Sequence, residues 1–162
     1  MRALMFDAPA RPAPLRIEIE APADAAAVDR LVLAAFGPGR FAKTAERLRE
    51  RARVAAGFVA RDGEAVIGSV RLWAITIGGT SAMFLGPIAV SAASRRAGLG
   101  ADLVQACVDH AGETGILLVG DLPWFGRFGF RPAPDARLPG PVDQRRVLWR
   151  GADEAAGRVL PA

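Results

Sequence analysis

A chain of 162 residues, 51% apolar and 23% charged, has enough hydrophobic material for one buried core and too little length for two ordinary domains. Its net charge of +4 comes almost wholly from arginine, Lys43 being the only lysine, and no apolar run approaches the length of a membrane span, so a membrane partner is not expected. A single cysteine, Cys107, leaves no internal disulfide to form and agrees with a reducing cytoplasm.

In chain order, residues 1–13 carry Arg2, Asp7 and Arg11 among apolar residues and prolines, lack the continuous apolar core of a signal peptide, and read as an N-terminal arm. One domain is expected over 14–150 and a frayed tail over 151–162. Residues 15–20 alternate apolar and charged, the period of a half-buried strand. Pro22 and Asp24 punctuate and cap a helix with apolar positions Val28, Leu31, Val32, Ala35 and Phe36, stopped by Gly37. A weaker helix is predicted over 44–55. Strands at 58–61, 64–77 and 81–90, separated by Asp62-Gly63 and Gly78-Gly79, form an antiparallel meander. A helix with Leu99, Leu103, Val104, Cys107, Val108 and Ala111 on one stripe follows, then a very apolar strand at 115–120. A short helix or irregular turn at 123–127, an extended segment at 130–132, a proline-rich loop to Pro141 and a last strand at 145–150 complete the pattern. Periodicity alone gives a mixed α+β domain with helices packed on one sheet.

The strand Leu85-Gly86-Pro87-Ile88-Ala89-Val90 runs toward Arg95-Arg96-Ala97-Gly98-Leu99-Gly100-Ala101, a glycine-rich turn that opens directly into a helix. Such a turn presents main-chain N–H groups at the positive end of a helix dipole, with no Cβ at Gly98 or Gly100 to hold a ligand off, and it suits a phosphate or pyrophosphate. The other reading is a tight turn into a core helix. A Rossmann dinucleotide loop fits worse, because its first glycine would fall at Arg96 and no βαβ unit with a distal acidic residue follows.

With "LGPIAV" at 85–90, the glycine turn, and "RFGF" at 127–130, the chain resembles the GCN5-related N-acetyltransferase (GNAT) superfamily, most closely its small bacterial branch. The resemblance implies an α/β (α+β) fold: a mixed, mostly antiparallel sheet of about six to seven strands, helices on both faces, and two splayed parallel strands that admit an acyl-CoA. It also implies an acyl-CoA-dependent N-acyltransferase that uses acetyl-CoA as cosubstrate without a metal. The acceptor would be a small-molecule amine or a peptide or protein amino group. Cofactor contacts would come from Ile88, Ala89 and Val90, pairing as a strand with the pantetheine arm, and from Arg95, Arg96, Ala97, Gly98, Leu99, Gly100 and Ala101 at the pyrophosphate. Trp124, Phe125 and Phe128 would wall the acyl end, with core packing as the other reading for these rings, and the Val90 main chain would face the thioester oxygen.

Where many relatives carry a tyrosine as acid, this chain has Phe125, and it contains neither tyrosine nor asparagine. That departure keeps a second function class open, an acyl-CoA-binding or sensing module with little turnover. Asp121, after the buried strand, is a candidate base or substrate contact, and otherwise a turn-former or helix cap. Ser69, Arg71 and Trp73 share one face of the long strand, facing either an acceptor or solvent. Residues 36–41 lie where the family's acceptor site falls. The arginines at 47, 49, 51 and 53, interleaved with Glu46 and Glu50, read as a solvated, salt-bridged face; without aromatic residues among them, nucleic acid is not an expected partner. Cys107 reads as a small buried hydrophobe and His110 as a surface cation near a helix end. Homodimer formation is left open.

Overall fold

Period-two patterning in the strands decides which side chains meet which helix. The computed structural model describes residues 15–37, 44–94 and 98–162. Its elements in chain order are β1 (Arg16–Ile19), α1 (Ala25–Phe36), α2 (Thr44–Arg51), β2 (Val54–Asp62), β3 (Ala65–Ile77) and β4 (Thr80–Val90). There follow α3 (Leu99–Ala111), β5 (Ile116–Val119), α4 (Leu122–Phe125), β6 (Arg131–Pro132), β7 (Ala136–Arg137), β8 (Val147–Arg150) and β9 (Gly157–Pro161). The sheet runs β1-β2-β3-β4-β5-β8-β6, with β9 beside the far end of β3 and β7 beside β9. Among the described residues only β4–β5 and β7–β9 are parallel.

The expected mixed, mostly antiparallel sheet is therefore present. Among the described residues it has nine strands, because short β6 and β7 and the terminal β9 join it. On one face Phe58, Val70, Leu72, Met83, Leu85, Ile116 and Leu118 pack against the stripe of α3, with Leu99, Leu103, Val104, Cys107 and Val108. On the other face Val59 and Ala89 meet Val28 and Val32 of α1, while Ile75, Phe84 and Leu117 meet Leu48 of α2. Helices thus cover both faces.

Turn chemistry places the meander. Gly78 and Gly79 both adopt positive φ (55° and 84°) between the paired residues Ile77 and Thr80, the conformation that a two-residue hairpin demands. Gly63, at φ 61°, does the same work after Asp62.

Four expectations are corrected. The tail is not frayed: Val159 is 1% exposed, and β9 pairs with β3 through Ile75↔Pro161, Thr76↔Leu160 and Ile77↔Val159. The second helix ends at Arg51 rather than near 55, because β2 begins at Val54 and its ladder with Leu72 and Trp73 overrides the local helix preference of Ala55 and Ala56. The last predicted strand starts at Val147, its first residues forming a turn in which Asp143 accepts from the Arg145 amide at 3.1 Å. Asp24 stands before α1 but makes no side-chain cap to it. Its carboxylate instead accepts from the Ala21 amide (2.8 Å) and from Arg61 (2.6 Å), which also holds Glu18 (2.7 Å). The Arg61 guanidinium, and then the Ala21 amide, hold the Asp24 carboxyl below its ordinary range.

Candidate active site

The site begins where two parallel strands part. β4 and β5 pair only at Met83↔Ile116 and Phe84↔Leu117. Beyond that, Gly86 and Pro87 stand opposite the single residue Arg71, shifting the β3–β4 register from Leu72↔Leu85 to Val70↔Ile88. Such a bulge bends its strand. The Trp73 indole N–H donates to the Gly86 carbonyl at 2.5 Å and fixes the bulge from below.

Antiparallel pairing alternates which residues spend their main-chain groups on the neighbouring strand. Ser91 donates to the Ile67 carbonyl at 2.8 Å, so Ala89 and Ser91 face β3. Ile88 and Val90 consequently turn their N–H and C=O groups away from β3, into the gap left by β5.

That gap is a cleft of about 510 Å³. Residues 84–88 form one wall; Leu118, Val119, Gly120 and Asp121 form the other; Trp124 and Phe125 stand at one side and Phe36, Ala45, Arg49 and Arg146 at the other margins. Gly120 lacks a Cβ where the Phe125 ring lies, which lets the ring lie over the end of β5. Trp124 packs edge-on against Phe125 (centroids 4.7 Å apart) and reaches the first turn of α3, where a Cβ on Gly100 would be 3.8 Å from its ring.

At the start of α3, Gly98 adopts φ 84° and supplies no side-chain cap. Among the described residues the first amide bonded within the turn is that of Asp102, to the Gly98 carbonyl at 2.9 Å. Leu99, Gly100 and Ala101 therefore keep amides that the helix itself does not use. Arg95, Arg96 and Ala97 lie outside the described residues.

The other predicted site residues divide. Asp121 is exposed, lines the cleft and occupies the N-cap position of α4 without a side-chain cap bond. Phe128 stands behind Trp124 (centroids 5.3 Å apart) and packs on the core, outside the cleft lining. Of residues 36–41, Phe36 lines the cleft, and 38–41 lie outside the described residues. His110 is exposed on the flank of α3, edge-on to Phe58 at 5.8 Å and apart from the cleft. Cys107 is fully buried, and burial pushes its thiol up to about 12.

Of two solvent-face readings, one holds in part and the other is overturned. Arg47, Arg51 and Arg53 are exposed, but Glu46 and Arg49 turn inward as a pair at 2.9 Å, with side chains 11% exposed each. Leu48 anchors α2 in the core, and the turn of helix around it carries Glu46 and Arg49 with it. Arg71 is likewise half-buried and bonded twice to Glu20, at 3.0 and 2.6 Å. Sequence reasoning missed Arg49 and Arg146 as cleft residues; no local pattern marks Arg146, whereas Arg49 three positions after Glu46 was a legible pairing signal.

The acetyltransferase (GNAT) family model matches residues 25–130. The chain belongs to the GNAT acetyltransferase family. The N-acetyltransferase YhbS of Escherichia coli K12, described as uncharacterized, is 32% identical over 145 residues, covering 86% of this chain and 83% of that protein. The crystal structure of YhbS from E. coli in complex with CoA superposes with a TM-score of 0.76 at 28% identity, over 91% of this chain and 89% of that one. A Brucella melitensis GNAT acetyltransferase in complex with acetyl-CoA gives 0.68 at 26% identity, over 92% and 96%. Both relatives span almost the whole GNAT chain described here.

Proposed function

We propose that this GNAT protein transfers the acetyl group of acetyl-CoA to a primary amine, carried by a small molecule, a peptide or a protein. The observation that supports this most directly is the parting of β4 from β5, which leaves the Ile88 and Val90 main-chain groups without a strand partner on that side among the described residues. An extended, amide-bearing pantetheine arm complements them as an added strand. The amides of Leu99, Gly100 and Ala101, which stand in the first turn of α3 and have no partner within it, suit the pyrophosphate, and Arg95 and Arg96 lie next to them in sequence. The Val90 N–H is the proposed donor to the thioester oxygen, in the manner of an oxyanion hole. Trp124 and Phe125 offer an apolar wall for the acyl end. In the proposed reaction the amine attacks the thioester carbonyl directly and CoA departs as its thiolate, while the single cysteine, Cys107, is buried away from the cleft. Asp121, exposed at the cleft rim, is the proposed contact to the incoming ammonium and the group toward which it sheds the proton that frees the attacking lone pair.

The test is thiol release from acetyl-CoA across a panel of amines, with the acetylated product identified by mass. Acceptor-dependent release is expected; its absence with folded protein removes the proposal. A second reading is favoured by one observation, Phe125 at the cleft in a chain without tyrosine: an acyl-CoA-binding module with little turnover. Phe125→Tyr separates the two. If departure of the thiolate is limited by lack of an acid, the variant gains about tenfold or more in kcat; binding of acetyl-CoA with no product in either protein supports the second reading.

A further inference from the structure

Behind the Gly86–Pro87 bulge lies a second, smaller cavity of about 80 Å³, on the side of the sheet covered by α1 and α2. Arg49 and Pro87 line both cavities, so the niche adjoins the cleft where the acceptor must arrive if the proposed transfer holds. Its polar wall consists of Asp29, Glu46, Arg49, Ser69, Arg71 and Trp73.

Most of these groups are already engaged. Arg49 bonds Glu46 through Nε and Nη2 at 3.2 and 2.9 Å. Arg71 bonds Glu20 through the same two nitrogens at 3.0 and 2.6 Å, and the Trp73 indole is engaged with Gly86 at 2.5 Å. Ser69 differs: it is 1% exposed, and its Oγ has no hydrogen-bond partner among the described residues. A buried hydroxyl with its donor and acceptor both unused is disfavoured, and it is a ready partner for whatever enters. An anionic ligand group would compete with Glu46 and Glu20 for Arg49 and Arg71 and would face the Asp29 carboxylate, whereas a neutral hydrogen-bonding group needs only Ser69.

Resting on the acetyl-transfer reading, we propose that this niche selects the acceptor: Ser69 hydrogen-bonds a neutral hydroxyl or amide carried a few atoms from the reacting amine. The acceptor is then an amino alcohol or amino amide rather than a simple alkylamine or an amino acid. Ser69 acts as a specificity residue, and the charged pairs around it hold the niche open and exclude a free carboxylate.

Ethanolamine, glycinamide, propylamine and glycine, assayed with wild-type protein and Ser69→Ala, test this. One of the first two exceeds propylamine by about tenfold or more in kcat/KM, mainly through KM, and glycine is the poorest. Which of the two leads tells hydroxyl from amide. In Ser69→Ala the advantage disappears because the polar amine alone slows, while propylamine stays within about twofold. Equal slowing of all four amines, or a preference that survives the substitution, overturns the proposal. The melting temperature gives a second readout: removing an unused hydroxyl leaves it unchanged or raised, and a clear fall would mean that Ser69 is already spent inside the protein, which also overturns it. If no amine turns over, the transfer reading fails by itself, and calorimetric titration of the same amines into the protein with saturating CoA decides this one. Preferential binding of ethanolamine or glycinamide that is lost in Ser69→Ala supports it; no preference overturns it.

Discussion

A Cβ at Gly120 would collide with the Cε2–Cδ2 edge of the Phe125 ring, and that one missing carbon shapes the cleft wall. Gly120→Ala should displace the ring and cost about 1–3 kcal/mol by overpacking. Thermal melting should show the loss of stability, and titration a several-fold weaker affinity for acetyl-CoA; an unchanged melting temperature would mean that Phe125 does not rest there. Cys107 gives a second test. Burial raises its thiol from 9.0 to about 12, so the folded state disfavours the thiolate. The sign follows: this contribution to stability is complete below the unfolded value and is lost as pH rises from about 9 toward 12. With one cysteine in the chain, a thiol reagent at pH 8 should label the denatured protein fully and the native protein hardly at all. Phe125 and Trp124 were legible as cleft residues through the resemblance, Phe125 standing where many relatives carry tyrosine, while the residues alone left core packing equally open. Glu46 and Arg49 were not, since charges on a short amphipathic helix read as solvent-facing until Leu48 is known to face the core.

The meander was readable because Asp62-Gly63 and Gly78-Gly79 break it where only glycine tolerates the backbone. The strand β9 was not: five residues, Gly157–Pro161, opening in glycine and closing in proline, have no pattern of their own and exist because β3 outruns β2 and leaves Ile75, Thr76 and Ile77 to be paired. Gly78 and Gly157 meet closely at that corner, so side chains on either would collide with the other's backbone region. Val159 is the anchor, 1% exposed among Ile75, Ile77 and Ala136. Val159→Ala should cost roughly 1–3 kcal/mol. Chemical denaturation should show a lower midpoint at unchanged slope; a neutral effect would mean that the terminal strand is not part of the cooperative unit.

The sheet is continuous on paper but nearly divided in substance. β1 to β4, β9 and β7 form one half and β5, β8 and β6 the other, joined in the ladder by two residue pairs, Met83↔Ile116 and Phe84↔Leu117. α3 packs on β2, β3 and β4, and the shared core beneath it, from Leu72 and Met83 to Ile116, Leu118 and Leu148, holds the halves together. An extended ligand seated in the parting would complete the missing rungs. It should therefore stabilise the whole molecule by mass action, by about 2.7 kcal/mol at a hundredfold excess over Kd. The same ligand should protect specific amides. Ile88 and Val90, which face the gap, should exchange slowly with deuterium when CoA is present and faster without it, while Ala89, already turned to β3, should change less. That alternation, protected at 88 and 90 and little affected at 89, distinguishes strand-like docking in the parting from binding elsewhere, because a ligand on any other surface would raise the melting temperature without producing a two-residue period along β4.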